Sequence, residues 1–242
     1  MLLAGATTEE VEEYLKYSST VLIPVGSLEQ HWKAAPLACD TIIPVRLCEA
    51  AGRKTSAAVT PAITFGSSEN HMEFAGTVSL KPQTLASLAR DISESLYTHG
   101  FRNILFLSGH GGNRAPIKSG LVEAAASCPD ADLRYLLYRN LSGAEDKQRK
   151  LFCPDPGYHV TVTEVSMVWH LMGEKIPNFP QKEFPPEPPS GAVLSRRKWK
   201  QTYPEGGAGS NLKYVSAEKG EIFFDYLVER LCAYIHSMNK CN

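Results

Sequence analysis

Three short stretches hold side chains able to do chemistry together. Glu29, His31 and Asp40 follow an apolar run directly, and alternate spacing in an extended turn points Glu29 and His31 to the same side. Carboxylates mixed with imidazole suit zinc, manganese or iron, whereas an all-oxygen set would suit magnesium or calcium. The second stretch, Ser108-Gly-His-Gly-Gly-Asn113, sets His110 among glycines that let the backbone approach a neighbour closely. An anion cradle at a helix N-terminus is its rival reading, but the loop lacks both a Gly-Lys-Ser/Thr ending and a GxGxxG spacing. The third, Gly157-Tyr-His-Val-Thr-Val-Thr-Glu164, holds His159 and Glu164. Thr161 to Glu164 also fits a capping box, in which the glutamate only closes a helix start and His159 is a turn histidine.

The elements around these stretches form a regular series. Thr7 or Thr8 caps a predicted helix reaching Tyr17, and Val21–Val25 reads as a buried strand. A helix over Thr41–Arg53 leads to a strand over Ala57–Pro61. Apolar spacing predicts a second helix over Pro82–His99, closed by Gly100. Asn103–Leu107 is a continuous apolar strand, Ala115–Ser127 a helix, and Leu133–Tyr138 a further strand. Val165–Met172 and Ser216–His236 complete the helices. Strands alternating with helices predict an α/β fold with a mainly parallel sheet covered on both faces, its functional groups beyond the C-terminal strand ends. Residues 178–211 are rich in proline, glycine and charge, and read either as a plain surface loop or as the cover of a site or a subunit contact.

The chain has 242 residues, 43% of them hydrophobic, which suits one α/β domain spanning 1–242 better than two. A formal charge of −1 leaves no basic excess to follow phosphates, so nucleic acid is not an expected partner and small polar molecules remain. No apolar run approaches the roughly 20 residues that cross a bilayer, and the acidic start around Glu9, Glu10, Glu12 and Glu13 is unlike a secretory signal. A cytoplasmic setting is expected. Six dispersed cysteines without a CxxC pair read as reduced thiols; Cys39, beside Asp40, is either a buried thiol or a soft metal ligand. No Gly-x-Ser-x-Gly elbow presents Ser27 or Ser108 as a nucleophile.

Taken in order, the motifs resemble those of the creatininase (creatinine amidohydrolase) family. Val21-Leu-Ile-Pro-Val-Gly-Ser-Leu-Glu-Gln-His31 with Asp40-Thr41 resembles its opening motif, and Glu69-Asn-His-Met-Glu-Phe-Ala-Gly-Thr-Val-Ser-Leu80 its second block. The loop Ser108–Asn113, the stretch Gly157–Ser166 and Val215-Ser-Ala-Glu-Lys-Gly220 are similar to the three later ones. The resemblance implies a three-layer αβα fold and a homo-oligomer, often a hexamer. It implies two divalent metal ions (zinc, or manganese or iron) on Glu29, His31, Asp40, His110 and Glu164, with Asp40 bridging. His159 becomes the acid or base, with Glu164 catalytic as well as a ligand, and Trp32, Glu69, His71, Gly111 and Gly112 become the substrate-facing positions.

The implied activity is hydrolysis of a small amide or cyclic amide by water held between two cations. A formamide deformylase, a small-peptide metallopeptidase and a catalytically silent ligand-binding relative are the alternatives. Two departures bear on specificity. Trp32-Lys33-Ala34 stands where the family usually has Gly-Pro-His, and Gly111 and Gly112 replace the aromatic and glutamate of creatininase proper, which makes creatinine itself a doubtful substrate. Lys33 and Arg196-Arg-Lys198 could favour a phosphate-bearing substrate, although such runs are mostly solvated faces.

Overall fold

A computed structural model describes residues 1–152 and 157–238, leaving Cys153 and Cys241 outside. Its centre is a parallel sheet of β1 (Thr20–Val25), β2 (Ala58–Val59), β3 (Asn103–Ser108) and β4 (Asp132–Leu137) in the order β2-β1-β3-β4. β1 and β3 are buried throughout and pair in register, Val21 with Ile104 and Val25 with Ser108. That explains their near-continuous apolar sequences, since a strand covered on both faces has no wet side to alternate with.

Side chains of the two central strands divide between two cores. Leu22, Leu105 and Leu107 meet α2 (Cys39–Thr55), α6 (Val162–Met172) and α8 (Ala217–Met238) through Ile43, Leu47, Val165 and Phe223. Val21, Ile23, Ile104 and Phe106 point the other way, against α1 (Thr8–Leu15), α3 (Pro82–Thr98) and α4 (Arg114–Ser127). The result is the expected αβα sandwich. Two shorter helices, α5 (Ala144–Leu151) and α7 (Arg196–Thr202), lie outside these layers, α5 against α8.

The strand order carries the functional information. The chain passes from β1 to β2 on one side, then returns to place β3 on the other, so the connections leaving β1 and β3 diverge and open a crevice beyond their C-terminal ends. Glu29 follows β1 and His110 follows β3, which sets both at that crevice.

Several boundaries differ from the sequence expectation. α2 begins at Cys39, not Thr41, so Asp40 sits in a helical first turn and not in the preceding loop. Neither Cys39 nor Asp40 belongs to the apolar repeat that marks the rest of the helix, which is why periodicity starts it late. α6 likewise starts at Val162, and β2 is only two residues long. Segment 178–211 contains α7, whose Trp199 is 1% exposed, so it is partly built into the fold as a cover. Cys39, Cys48, Cys128 and Cys232 are free thiols. Among the described residues, no helix is long and apolar enough to cross a membrane.

Candidate active site

Glycine lets the two loops meet. A Cβ on Gly109 would stand 1.9 Å from the carbonyl oxygen of Asp40, so only glycine allows the turn after β3 to lie against the first turn of α2. At Gly112 a Cβ would meet the Ser67 carbonyl oxygen at 2.3 Å. Asn113 then ties the loops together, donating to the Gly26 carbonyl at 2.9 Å and accepting from the Ser67 N–H at 2.9 Å.

At the crevice floor Asp40 faces two partners with its two oxygens. Its Oδ1 is 3.6 Å from His31 Nε2, which is in turn 3.7 Å from Glu164 Oε1. Its Oδ2 is 3.3 Å from His110 Nδ1, itself 3.2 Å from Glu29 Oε2. Glu29, His31, Asp40 and Glu164 are all at most 4% exposed. Glu29 Oε1, His31 Nε2 and Asp40 Oδ2 have no hydrogen-bond partner although buried, which is costly unless something else satisfies them.

The far nitrogens are already engaged. His31 Nδ1 bonds the Glu29 carbonyl oxygen at 3.1 Å, and His110 Nε2 bonds the Ser67 carbonyl oxygen at 2.9 Å. Each backbone acceptor fixes its ring's proton on the outer nitrogen, leaving a lone pair on the inner one when the ring is neutral, as in metal-ligating histidines. Ligands about 2.1 Å from a tetrahedral ion lie about 3.4 Å apart, close to the separations found here. The donor atoms thus fit two cations sharing Asp40, one beside His31 and Glu164, the other beside His110 and Glu29. Glu29 is further held by Ser27 Oγ at 3.2 Å and by Ser68 Oγ.

Glu164 does two jobs. Its Oε1 accepts from the Thr161 N–H at 2.6 Å while Thr161 Oγ1 accepts from the Glu164 N–H at 3.2 Å, so the capping box exists, yet the same carboxylate faces His31. His159 Nδ1 lies 3.7 Å from Glu29 Oε1, and its other nitrogen meets the Gln30 side chain at 2.9 Å and the Gln30 carbonyl at 3.0 Å. Gln30 also reaches His71 Nδ1 at 3.0 Å, so one amide fixes two imidazoles. Trp32 and Val160, immediately after His31 and His159, hold φ of 50° and 55°, a strained conformation for such residues that re-aims the chain at both histidines.

The charges follow from this packing. Burial would lower the pKa of His31, but the adjacent Asp40 carboxylate, with Glu164 and Glu29, lifts it to about 10. Burial opposes the His110 proton too, and Glu29 and Asp40 outweigh it. Asp40 is depressed well below the carboxylate range: burial would raise it, and His31 and His110 overcome that. Glu164 is raised, chiefly by burial. His71 goes the other way, pushed down to about 3 by burial and then by the charges of His110 and His31.

A prediction follows for protein stripped of cations. His31, raised above its unfolded value near 6.5, adds stability that is present below pH 6.5 and lost as pH climbs toward 10. His71, depressed below that value, costs stability as pH falls from 6.5 toward 3. Thermal denaturation in chelator should therefore show greatest stability near pH 6.5, and His71→Asn should flatten the acid limb only.

Of the positions expected to face substrate, His71, Gly111 and Gly112 line the cavity over this floor, whose volume is about 290 Å³. Two do not. Trp32 turns away, packing its ring edge-on against Phe184 (centroids 5.5 Å) and Phe179 (6.4 Å), because the positive φ swings it off the His31 side. Glu69 has a half-exposed side chain in ion pairs with Lys81 (3.4 Å) and Arg196 (4.0 Å), and its neighbour Asn70 lines the cavity instead. Lys33 is exposed. Burial and then the nearby carboxylates raise the pKa of the Cys39 thiol, whose Sγ points to the Glu164 carbonyl at 3.9 Å and lies within 4.8 Å of donor atoms of His31 and Asp40, in reach of the same cation. Sequence reasoning did not single out Gln30, Ser68, Arg139, Tyr158 or Trp199. Arg139 alone carried a signal, standing just past the C-terminal end of β4.

A parallel αβα sandwich carries this carboxylate and imidazole cluster at its switch point, an arrangement suited to a hydrolase. The chain belongs to the creatininase (creatinine amidohydrolase) family, whose model matches residues 4–235. It is 27% identical to the creatinine amidohydrolase of Pseudomonas putida over 254 aligned positions, covering 92% of this chain and 91% of that one. It is 29% identical to the mycofactocin precursor peptide peptidase of Mycobacterium tuberculosis (strain ATCC 25618 / H37Rv) across 70% of this chain and 64% of that protein. Among solved structures, a creatininase mutant of Zn-Zn type is similar over 98% of this chain and 97% of its own, with a TM-score of 0.82 and 25% identity.

Proposed function

We propose that the protein is a metal-dependent amidohydrolase that opens the C–N bond of a small amide or cyclic amide, using two divalent cations, zinc or manganese. One observation carries the reading: carboxylate and imidazole donor atoms gather in two sets that share Asp40, and two of them, His31 Nε2 and Asp40 Oδ2, are buried with no hydrogen-bond partner. Glu164, His31 and Asp40 would hold one ion, and Glu29, His110 and Asp40 the other. When bound, such ions polarise an amide carbonyl and bring the pKa of water down toward 7.

The chain's own groups supply the rest. His159 is kept neutral, its pKa lowered chiefly by burial, so it begins as a proton acceptor. Its Nδ1 borders the cluster at Glu29 and takes the proton from water as the carbonyl is attacked. The same nitrogen then passes that proton to the leaving amine. Gln30 keeps the ring from rotating during both transfers, and Trp199 of α7 narrows the cavity against bulk water. A volume of about 290 Å³ suits a small molecule.

Similarity to both a creatinine amidohydrolase and a peptide peptidase leaves the amide to be found by assay. Cyclic amides, formamides and dipeptides should be offered to protein reconstituted with zinc or manganese. We expect turnover of at least one small amide that disappears with chelator and returns with metal. Turnover indifferent to chelation would overturn the mechanism, and a metal-loaded protein inert toward the whole panel would favour a ligand-binding role.

A further inference from the structure

Arg139 is a cation in the cavity whose guanidinium no described residue holds by a hydrogen bond or an ion pair. It lies in the short turn Tyr138–Asn140 that ends β4, and lines the cavity beside Glu164, Asp40 and Tyr158. Among the described residues its guanidinium makes no hydrogen bond and no ion pair, and it is the one arginine among the residues lining that cavity. The acids nearest to it, Glu164 and Asp40, act on it through space and raise its pKa, while their oxygens contact Thr161, His31 and His110. A second donor in the same wall, Trp199 Nε1, is buried without an acceptor.

Charge sharpens the point. The carboxylates of Glu29, Asp40 and Glu164 leave two divalent cations under-neutralised by one charge. A proton moved from water to His159 leaves that balance unchanged, and Arg139 adds a further positive charge to it. Arg139 is half-buried in the cavity wall, and its planar fork of N–H groups matches an oxyanion with two oxygens.

We propose that Arg139 binds an anionic group of the substrate, so that the amide opened at this site also carries a carboxylate or another oxyanion close to the scissile bond. This rests on the amidohydrolase reading above. It also separates the two basic features that the sequence offers from the one that matters: Lys33 is exposed and Arg196 is paired with Glu73 at 3.4 Å, away from the cavity floor.

The test uses succinamate, an amide with a carboxylate, against the neutral succinamide. Binding of each to zinc-loaded protein is measured by calorimetry for the wild type, Arg139→Met and Arg139→Lys, with metal content and melting temperature recorded for all three. The wild type should bind succinamate at least about tenfold more tightly than succinamide. Arg139→Met should lose that preference with two cations still bound, and Arg139→Lys should keep part of it. Competition by acetate and by inorganic phosphate then assigns the oxyanion, the stronger competitor naming it. An equal affinity for the two probes in the wild type, or a preference that survives in Arg139→Met, overturns the proposal. So does a loss of metal in Arg139→Met with the preference intact, which would make Arg139 only a structural counter-charge. Failure of the amidohydrolase reading looks different: the metal-loaded wild type would then hydrolyse no amide of the panel, whatever its preference between the two probes.

Discussion

Asp40→Ala should empty both cation positions at once and lower amide turnover by more than about 10³-fold. Losing a group that merely orients a metal ligand already costs 10- to 100-fold as a rule, and Asp40 faces both donor sets directly. The fold should survive. The Asp40 side chain caps nothing, since α2 has its N-cap at Ala38, and the apolar face of α2 below it, Ile43, Leu47 and Cys48, is untouched. Elemental analysis of the purified variant, alongside its melting curve in chelator, checks this. A variant that kept two cations or normal turnover would show that Asp40 is not shared.

Glu164→Gln separates two roles that one side chain performs. Glutamine can still accept from the Thr161 N–H, so the capping box and α6 should persist and the chelated melting temperature should stay within a degree or two of the wild type. Charge is lost, however, at the carboxylate facing His31, and one cation with it. We expect turnover to fall by at least about 10²-fold, the lower end of what losing a charged ligand costs. Glu164→Ala should lose the same activity and also destabilise α6. If Glu164→Gln kept both ions and full activity, the carboxylate would be a cap and nothing more.

These two residues mark what the sequence could and could not disclose. Strands β1 and β3 and helix α3 were legible because burial on both faces, or on one stripe, writes itself directly into apolar spacing. Glu29, His31, Asp40, His110, His159 and Glu164 come together in the folded chain from three distant stretches, and each stretch alone had a plain explanation in capping or turn chemistry. For Glu164 that plain explanation is also true, which periodicity and motif spacing have no means of expressing. Trp32 and Glu69 stand in motifs that resemble the family's, but motif position does not set side-chain direction: a positive φ turns Trp32 toward Phe184, and ion pairs hold Glu69 at the rim. Trp199 comes from a proline-rich segment with no local signature, and its ring centroid lies 4.8 Å from that of His71 only through tertiary packing. Gln30 sits between two ligand candidates, where alternation alone would point it away from them.

The claim beneath all of this is that Asp40 is shared by two cations, and anomalous diffraction from crystals grown with manganese or zinc tests it most directly. The account predicts two peaks in the crevice between β1 and β3, one contacting Asp40 Oδ1, His31 Nε2 and Glu164 Oε1, the other Asp40 Oδ2, His110 Nδ1 and Glu29 Oε2. A single peak, or two peaks of which only one touches Asp40, would contradict it.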